Sequence, residues 1–269
     1  MFDFHVHSFN SPDSVQDVKG ICDAAILKGL DGFALTDHAD MYFSDFSDTQ
    51  KRIENSVKCV DEARRTYGDK IRIYKGIELG EYTSDAESAE KLINSADFDA
   101  VLGSVHIVGY KNLRGEYYSQ TDFSKYSGDD IHCFMRQYFC DVLEMAKCAN
   151  FDILTHLTCP LRYITGRYGR RVDLSAYSDI IDEIFYTVIG RNIALEVNTS
   201  GVGTPQGFLM PDVPLIKHYF EAGGRMITLG SDAHICGRMS NAFDSTAKLL
   251  RSIGFDRFYI FEKRKPKAY

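Results

Sequence analysis

The sequence predicts an α/β protein whose parallel strands close into a barrel, and three observations carry this expectation. Strand and helix patterns alternate from end to end as seven β-then-α units, and each crossover returns the chain in the same direction, which builds a parallel sheet. Neither G-x-G-x-x-G nor a P-loop follows any strand, which weakens the alternative of an open, doubly wound sheet. Ligand-type polar residues also recur just after strand upon strand, as they do at the catalytic mouth of a barrel.

Phe2–His7 reads as the first strand, and Val15–Lys28 as an amphipathic helix closed by Gly29. Gly32–Thr36 is a short apolar strand. Ile53, Val57, Val60, Ala63 and Tyr67 stand at helical spacing within Lys51–Tyr67, which ends at Gly68. Ile71–Ile77 is the third strand, Glu87–Ala96 a helix and Ala100–Val105 the fourth strand. Residues 107–127 break the rhythm. They are polar, aromatic and aperiodic, which reads as a long functional loop, with a solvated insertion as the plainer alternative. Asp129–Ala149 is then a helix, Phe151–Thr155 strand five, Leu174–Ile189 a helix and Ile193–Val197 strand six. Val213–Ala222 is helical, Met226–Leu229 strand seven, Arg238–Ile253 the last helix and Phe258–Phe261 a terminal extended segment. No linker interrupts the series, so one domain over residues 1–269 is expected.

Composition narrows the function. The chain is 44% hydrophobic and 26% charged with only 6 Pro, the profile of an ordinary folded domain. A net charge of −7 argues against a nucleic-acid partner, which normally requires a basic face. It leaves room for a small anionic substrate, because bound metal ions reverse the local field. The seven Cys include no C-x-x-C pair, which argues against a disulfide framework. Cys133, Cys140 and Cys148 fall in one apolar helical pattern and are expected to be reduced and buried. No signal peptide is visible and no apolar run is long enough to cross a bilayer, so a cytoplasmic protein with no membrane partner is expected.

The chemistry lies at the strand ends. Strand one ends in His5 and His7, strand two in Asp37-His38, strand three in Glu78, strand four in His106 and strand five in His156. Strand six ends in Glu196 and Asn198, and strand seven in Asp232 and His234. Six of the eight histidines lie at such positions; His132 and His218 fall on helices and read as structural. An H-x-H pair on a strand directs both rings to one side, since side chains alternate with period two, so both can grip one ion. Asp232-Ala233-His234 repeats that spacing. Imidazole and carboxylate suit zinc, iron and manganese. The number of such groups exceeds what one tetrahedral ion takes, so two to three divalent transition metal ions with a bridging carboxylate are implied. Taken alone, a histidine such as His106 at a strand end is more often a hydrogen-bonded structural residue; the joint arrangement carries the metal reading. Glu196 and Asn198 are ligands or orienters, Asp37 an orienter, and Cys159 a packed thiol.

FDFHVHS, LTDHAD, KGIELG, LGSVH, ILTHL and LGSDAH follow one another in order across nearly the whole chain. In this the sequence resembles the polymerase-and-histidinol-phosphatase (PHP) superfamily. Within it, ALEVNTSG, GGRMITLGSDAH and the tail FEKRKP resemble the stand-alone histidinol-phosphate phosphatases of histidine biosynthesis. The resemblance implies a distorted seven-stranded (β/α)7, TIM-like barrel with three metal ions. By motif, His5, His7, Glu78 and Asp232 would hold the first ion, and Glu78, bridging, would join His106 and His156 at the second. Asp13, His38 and His234 would hold the third. Asp13 is assigned by its spacing of six residues from His7. The chain departs from the family pattern at NTSGVGTPQG, which lacks the phosphate-binding Arg expected there, and in the segment after SVH. Arg162, in THLTCPLRY, is the expected replacement, with Arg114, Arg167, Arg170 and Arg171 as alternatives.

The reaction expected is metal-assisted hydrolysis of a small phosphomonoester, with histidinol phosphate as the implied substrate. Water activated by the ions attacks phosphorus in line. Asp232, His234 and Arg162 are the candidate catalytic residues, the ions and Arg162 neutralising the phosphoryl oxygens. Three rivals are weaker. An amidohydrolase would add a bridging Lys or carboxylate after strand four and an eighth strand bearing Asp. A polymerase-associated nuclease would need a nucleic-acid surface. A degenerate barrel serving only to bind would lack ligands, and none is missing.

Overall fold

The computed structural model describes residues 1–42, 45–110, 116–205 and 207–269. Its centre is a ring of parallel strands: β1 (Phe2–Val6), β2 (Gly32–Leu35), β4 (Arg72–Gly80), β5 (Ala100–Ser104), β6 (Ile153–Leu154), β7 (Ala194–Asn198) and β8 (Ile227–Gly230). A three-residue strand, β3 (His38–Asp40), adds to the upper half of β4. Backbone bonds complete the ring just past β8, where His7 N–H donates to Ala233 O at 3.1 Å and Asp232 N–H to His5 O at 2.9 Å. The seven-stranded α/β barrel expected from the sequence is therefore what the chain forms.

The helices α1 (Val18–Leu27), α2 (Phe46–Tyr67), α3 (Ala86–Ile93), α4 (Gly128–Cys148), α6 (Ser178–Gly190), α7 (Val213–Glu221) and α8 (Phe243–Ile253) follow the expected pattern, and their ends move to where caps exist. α1 starts late because the Asp17 side chain accepts from Gly20 N–H, and α2 starts early because Asp45 accepts from Ser47 N–H. The last helix begins at Phe243, not Arg238; Cys236–Arg238 is instead a separate 3-10 turn. A short α5 (Leu161–Ile164) was not foreseen. Among the described residues no helix is long and apolar enough to cross a membrane.

Inside the barrel, Phe2, Phe4, Ala34, Tyr74, Ala100, Leu102, Ile153 and Ala194 form an apolar plug below the strand ends. The terminal segment forms a hairpin, β9 (Tyr259–Glu262) with β10 (Lys265–Ala268), whose Ile260 and Phe261 seal that plug from beneath. Each fully buried aromatic there contributes about 1.5–3 kcal/mol. On β1 the pairing slips by one residue between Asp3 and Val6. Such a bulge re-aims a strand, and it lets Phe2 and Phe4 join the plug while His5 and His7 face the same interior one layer higher. All seven cysteines are free. Contrary to expectation, Cys133, Cys140 and Cys148 are exposed; α4 packs its Ile131, Phe134, Met135, Tyr138, Phe139 and Val142 inward and turns the thiols out.

Candidate metal centre

Glu78 lies near the end of β4 and is fully buried at the top of the plug. Five imidazoles surround it. Glu78 Oε2 lies 3.2 Å from His5 Nε2, 3.4 Å from His7 Nε2 and 2.9 Å from His38 Nδ1. Its Oε1 lies 2.9 Å from His156 Nε2 and 3.4 Å from His106 Nε2. Asp232 adjoins the first pair, with Oδ1 at 3.4 Å from His7 Nε2 and 3.9 Å from His5 Nε2. Asp232 has a left-handed backbone, φ 52°, that turns its carboxylate back over β1. His234 faces Asp13 at 3.2 Å, and His38 Nε2 lies 3.7 Å from the same carboxyl group. All nine residues singled out as ligands thus meet at one mouth. Asp13, on the loop after β1, is the outermost and the most exposed.

Four of the ring nitrogens that face inward lack hydrogen bonds. His5 Nε2, His7 Nε2, His38 Nδ1, His234 Nε2 and Glu78 Oε2 are buried without a partner. Orphaned buried polar atoms are costly, and here five converge within reach of one another. Divalent cations satisfy such a set, and the imidazole-carboxylate donors fit zinc, iron or manganese. Groups with suitable spacing among the described residues are His5-His7-Asp232, His5-Glu78-His156, His38-Glu78-His106, Asp40-Glu81-His106 and His7-His38-His234. The last joins His7 to His38 and His234, while Asp13 stands on the outer side of the same two rings.

The outward nitrogens are occupied instead. His5 Nδ1 pairs with Glu196 Oε1 at 2.7 Å, and Glu196 Oε2 also accepts from His156 N–H and Asn198 Nδ2. Glu196 is therefore an orienter, and Asn198 supports it. Gly230 admits Glu196, because a Cβ there would stand 2.0 Å from Glu196 Oε1. His7 Nδ1 meets Ser11 Oγ at 3.0 Å, and Ser11 donates to Asp37 Oδ1 at 2.9 Å. Asp37 also accepts from Ser8 and Ser56, which leaves it saturated by hydrogen bonds, as expected of an orienter. His234 Nδ1 faces Asp232 O at 3.0 Å. With the far nitrogen protonated, each of these rings presents a lone pair to the centre.

The electrostatics follow from this crowding. Burial opposes charge on Glu78, yet His5, His38 and His106 hold its carboxyl well below the usual carboxylate range. Burial would lower His5, but Glu196 and Glu78 raise it well above the ordinary imidazole value. His38 rises to about 9, Glu78 outweighing burial. His7 goes the other way, pressed well below its ordinary value by burial and by the neighbouring His234 and His38. Without ions, protons on His5, His38 and His106 supply the positive charge the carboxylates require.

A cavity of about 310 Å³ opens above the cluster, lined by Asp13, His38, Asp40, His106, Tyr117 to Gln120, His156, Cys159, Arg162, Tyr163, Asp232 and His234. Arg162, from α5, reaches Asp232 Oδ2 at 2.9 Å and bonds Ser200 Oγ. Arg167 and Arg170 are spent on backbone carbonyls at Ser119, Phe123 and Tyr126, and Arg171 lines a separate groove on the outside. Arg114 lies outside the described residues. From the described part of the 107–127 segment, Tyr117 to Gln120 form one wall of the cavity, anchored by the Ile107–Tyr117 bridge and followed by a second 3-10 turn at Phe123–Lys125. Tyr118 is buried against Phe134, Tyr138 and Tyr163, so it acts as the root of that wall. His132 stacks on Tyr177 and His218 pairs with Asp182, both away from the mouth. Sequence reading missed Ser11, Asp40 and Glu81. Asp40 stands at i+2 from His38 within LTDHAD and so shares its side of a strand, a signal that was present.

A family model described as PHP domain matches residues 3–200. A probable histidinol-phosphatase of Clostridium acetobutylicum is 27% identical over 268 residues, covering 99% of both chains. A histidinol-phosphatase of Lactococcus lactis is 28% identical, covering 98% of this chain and 95% of its own. The crystal structure of the Lactococcus lactis histidinol phosphate phosphatase, complexed with zinc, L-histidinol and phosphate, superposes with a TM-score of 0.79. It is 25% identical and covers 99% of this chain and 98% of its own. From its first strand through the end of β7, where the ligand-bearing strands succeed one another in the expected order, the chain belongs to the PHP domain family.

Proposed function

We propose that residues 1–269 form one metal-dependent phosphomonoesterase domain that hydrolyses L-histidinol phosphate to L-histidinol and phosphate, a reaction of histidine biosynthesis. The observation that carries the chemistry is Glu78, buried within 3.4 Å of five imidazoles, three of which, His5, His7 and His38, turn unpartnered ring nitrogens toward it. The substrate is supported by the similarity to the Lactococcus lactis enzyme, in whose structure zinc, L-histidinol and phosphate are bound.

We assign His5, His7, Glu78 and Asp232 to one ion and Glu78, His106 and His156 to a second. His38 and His234 hold a third, with Asp13 at its outer side. Two to three zinc, iron or manganese ions held there would supply Lewis acidity to the phosphoryl oxygens and would lower the pKa of water toward neutrality. The protein's own contribution is orientation and charge. Glu196 and Ser11 fix the proton on the far nitrogens of His5 and His7. Arg162 stands at the cavity wall with its charge already directed at Asp232, where an incoming phosphoryl group presents its oxygens. Asp232 and His234 line the cavity beside it and hold the reacting end of the substrate. The leaving group then lies toward Tyr117, Ser119 and Gln120, on the far wall.

The test is a phosphatase screen on metal-replete protein, with histidinol phosphate beside sugar, nucleotide and amino-acid phosphates. Histidinol phosphate is expected to give the highest kcat/KM, by tenfold or more. A different ester in first place refutes the substrate; no hydrolysis of any refutes the activity.

A further inference from the structure

His106 is held from three directions, each time by a carboxylate, and two of the three act on its ring. Its Nε2 faces Glu78 Oε1, while Nδ1 lies 3.2 Å from Asp40 Oδ1. Its backbone N–H, with that of Ile107, donates to Glu81 Oε1. Glu81 reaches these amides from a left-handed backbone at φ 52°, so it serves the main chain, and the ring is left to Asp40.

The approach of Asp40 depends on a glycine. Asp40 ends β3 in register with Gly80 of β4. A Cβ on Gly80 would stand 2.1 Å from Asp40 Oδ1 and 3.3 Å from His106 Nδ1. The gap at position 80 is filled by the Asp40 carboxylate on its way to the ring. The other carboxylate oxygen, Oδ2, accepts from Tyr117 OH at 2.9 Å, and Tyr118 N–H donates to His106 O at 3.0 Å. The cavity wall and the ligand strand are thus fastened through one carboxylate.

We propose that Asp40 is the positioning residue of His106: it holds the proton on Nδ1, keeps the Nε2 lone pair directed at the cluster, and ties the Tyr117 wall to this ligand. The proposal rests on the reading of His106 as a metal ligand. A neutral imidazole has one N–H, and a carboxylate at Nδ1 both selects the tautomer and makes Nε2 more basic. Asp40 therefore acts through His106 on the retention of one ion, the one shared by Glu78, His106 and His156.

The experiment uses the full chain, loaded with zinc and dialysed against a graded chelator, with bound zinc read by elemental analysis. Asp40→Ala is expected to release one equivalent at a chelator concentration about 10–100-fold lower than the wild type requires, the usual effect of losing such a partner. The other ions should leave as in the wild type. Asp40→Asn, whose amide oxygen still accepts from Nδ1, should fall between. Gly80→Ala should resemble Asp40→Ala, since its methyl displaces the carboxylate. The kcat of Asp40→Ala should recover in excess zinc with KM little changed, a rescue that general loss of structure would not give. If Asp40→Ala fails to fold, judged by circular dichroism, the near-isosteric Asp40→Asn carries the test. Wild-type release curves for Asp40→Asn and Asp40→Ala, or equal loss of every ion, overturn the proposal. The release curves need no substrate, so they stand even if histidinol phosphate proves not to be hydrolysed; a wild type that binds no zinc removes the metal reading and this proposal with it.

Discussion

Replacing Glu78 with Gln tests the metal centre most directly, because one side chain is in contact with five potential ligands. The change keeps shape and volume and removes one negative charge from a fully buried position. Removing one partner of a buried charge network costs roughly 3–5 kcal/mol. At about 1.4 kcal/mol per factor of ten, that is roughly two to four decades in metal affinity. Since Oε2 faces His5, His7 and His38 while Oε1 faces His106 and His156, two ion positions should be weakened together. Chelator competition followed by elemental analysis should show two equivalents lost from Glu78→Gln under conditions where the wild type loses none. Hydrolysis should fall in parallel. The metal-free variant gives a second reading. Glu78 helps raise His5, His38 and His106, so those rings should titrate at lower pH in Glu78→Gln, as followed by NMR of the imidazole protons. Retention of every equivalent at the chelator concentrations the wild type withstands would refute the reasoning, because it would mean the carboxylate bridges nothing.

Arg162→Ala should lower kcat/KM by roughly two to four powers of ten with metal content intact, as for lost stabilisation of transition-state charge. Near-normal kinetics would transfer the role to Arg114, since Arg167, Arg170 and Arg171 are engaged or distant. Metal uptake should depend steeply on pH. His38 carries a proton below about 9 that an incoming ion must displace, so apparent affinity should fall by about tenfold per pH unit per displaced proton as pH drops from 9 toward 6. The sign reverses for the metal-free protein: the contribution of His38 to its stability is full below 6.5 and is lost as pH rises through about 9. Zinc titrations and metal-free melts across pH 6–9 check both, and a flat zinc affinity would contradict the first. Finally, if the 107–127 wall selects the leaving group, Tyr117→Phe with Gln120→Ala should weaken hydrolysis of histidinol phosphate more than that of a generic aryl phosphate. Equal losses on the two esters would make the wall a mere cover.

What the sequence determined by itself follows from local rules. Period-two alternation on β1 puts His5 and His7 on one side whatever surrounds them, and β-then-α repetition makes every strand end at the same mouth. The meeting of the nine candidate residues at one mouth was therefore legible, as was the seven-stranded ring. The structure decided what depends on residues far apart in the chain. The slip on β1 between Asp3 and Val6 exists only because β2 sets a register against it, and it separates the apolar plug from the ligands. Residues after Leu35 form the separate strand β3, because Thr36 N–H is drawn to Val6 O and Asp37 O accepts from Glu78 N–H, so the chain jogs before pairing again. That jog brings Asp40 over Gly80 to His106, a contact spanning sixty-six residues that no spacing rule announces. The fate of the arginines was equally hidden: Arg162 turns inward on an unforeseen helical turn, while its neighbours find carbonyls to cap. Periodicity is a property of adjacent residues and can be read from the chain. The partner that fixes a ring's proton, or admits a carboxylate where a Cβ would stand, belongs to the packing and exists only once the barrel has closed.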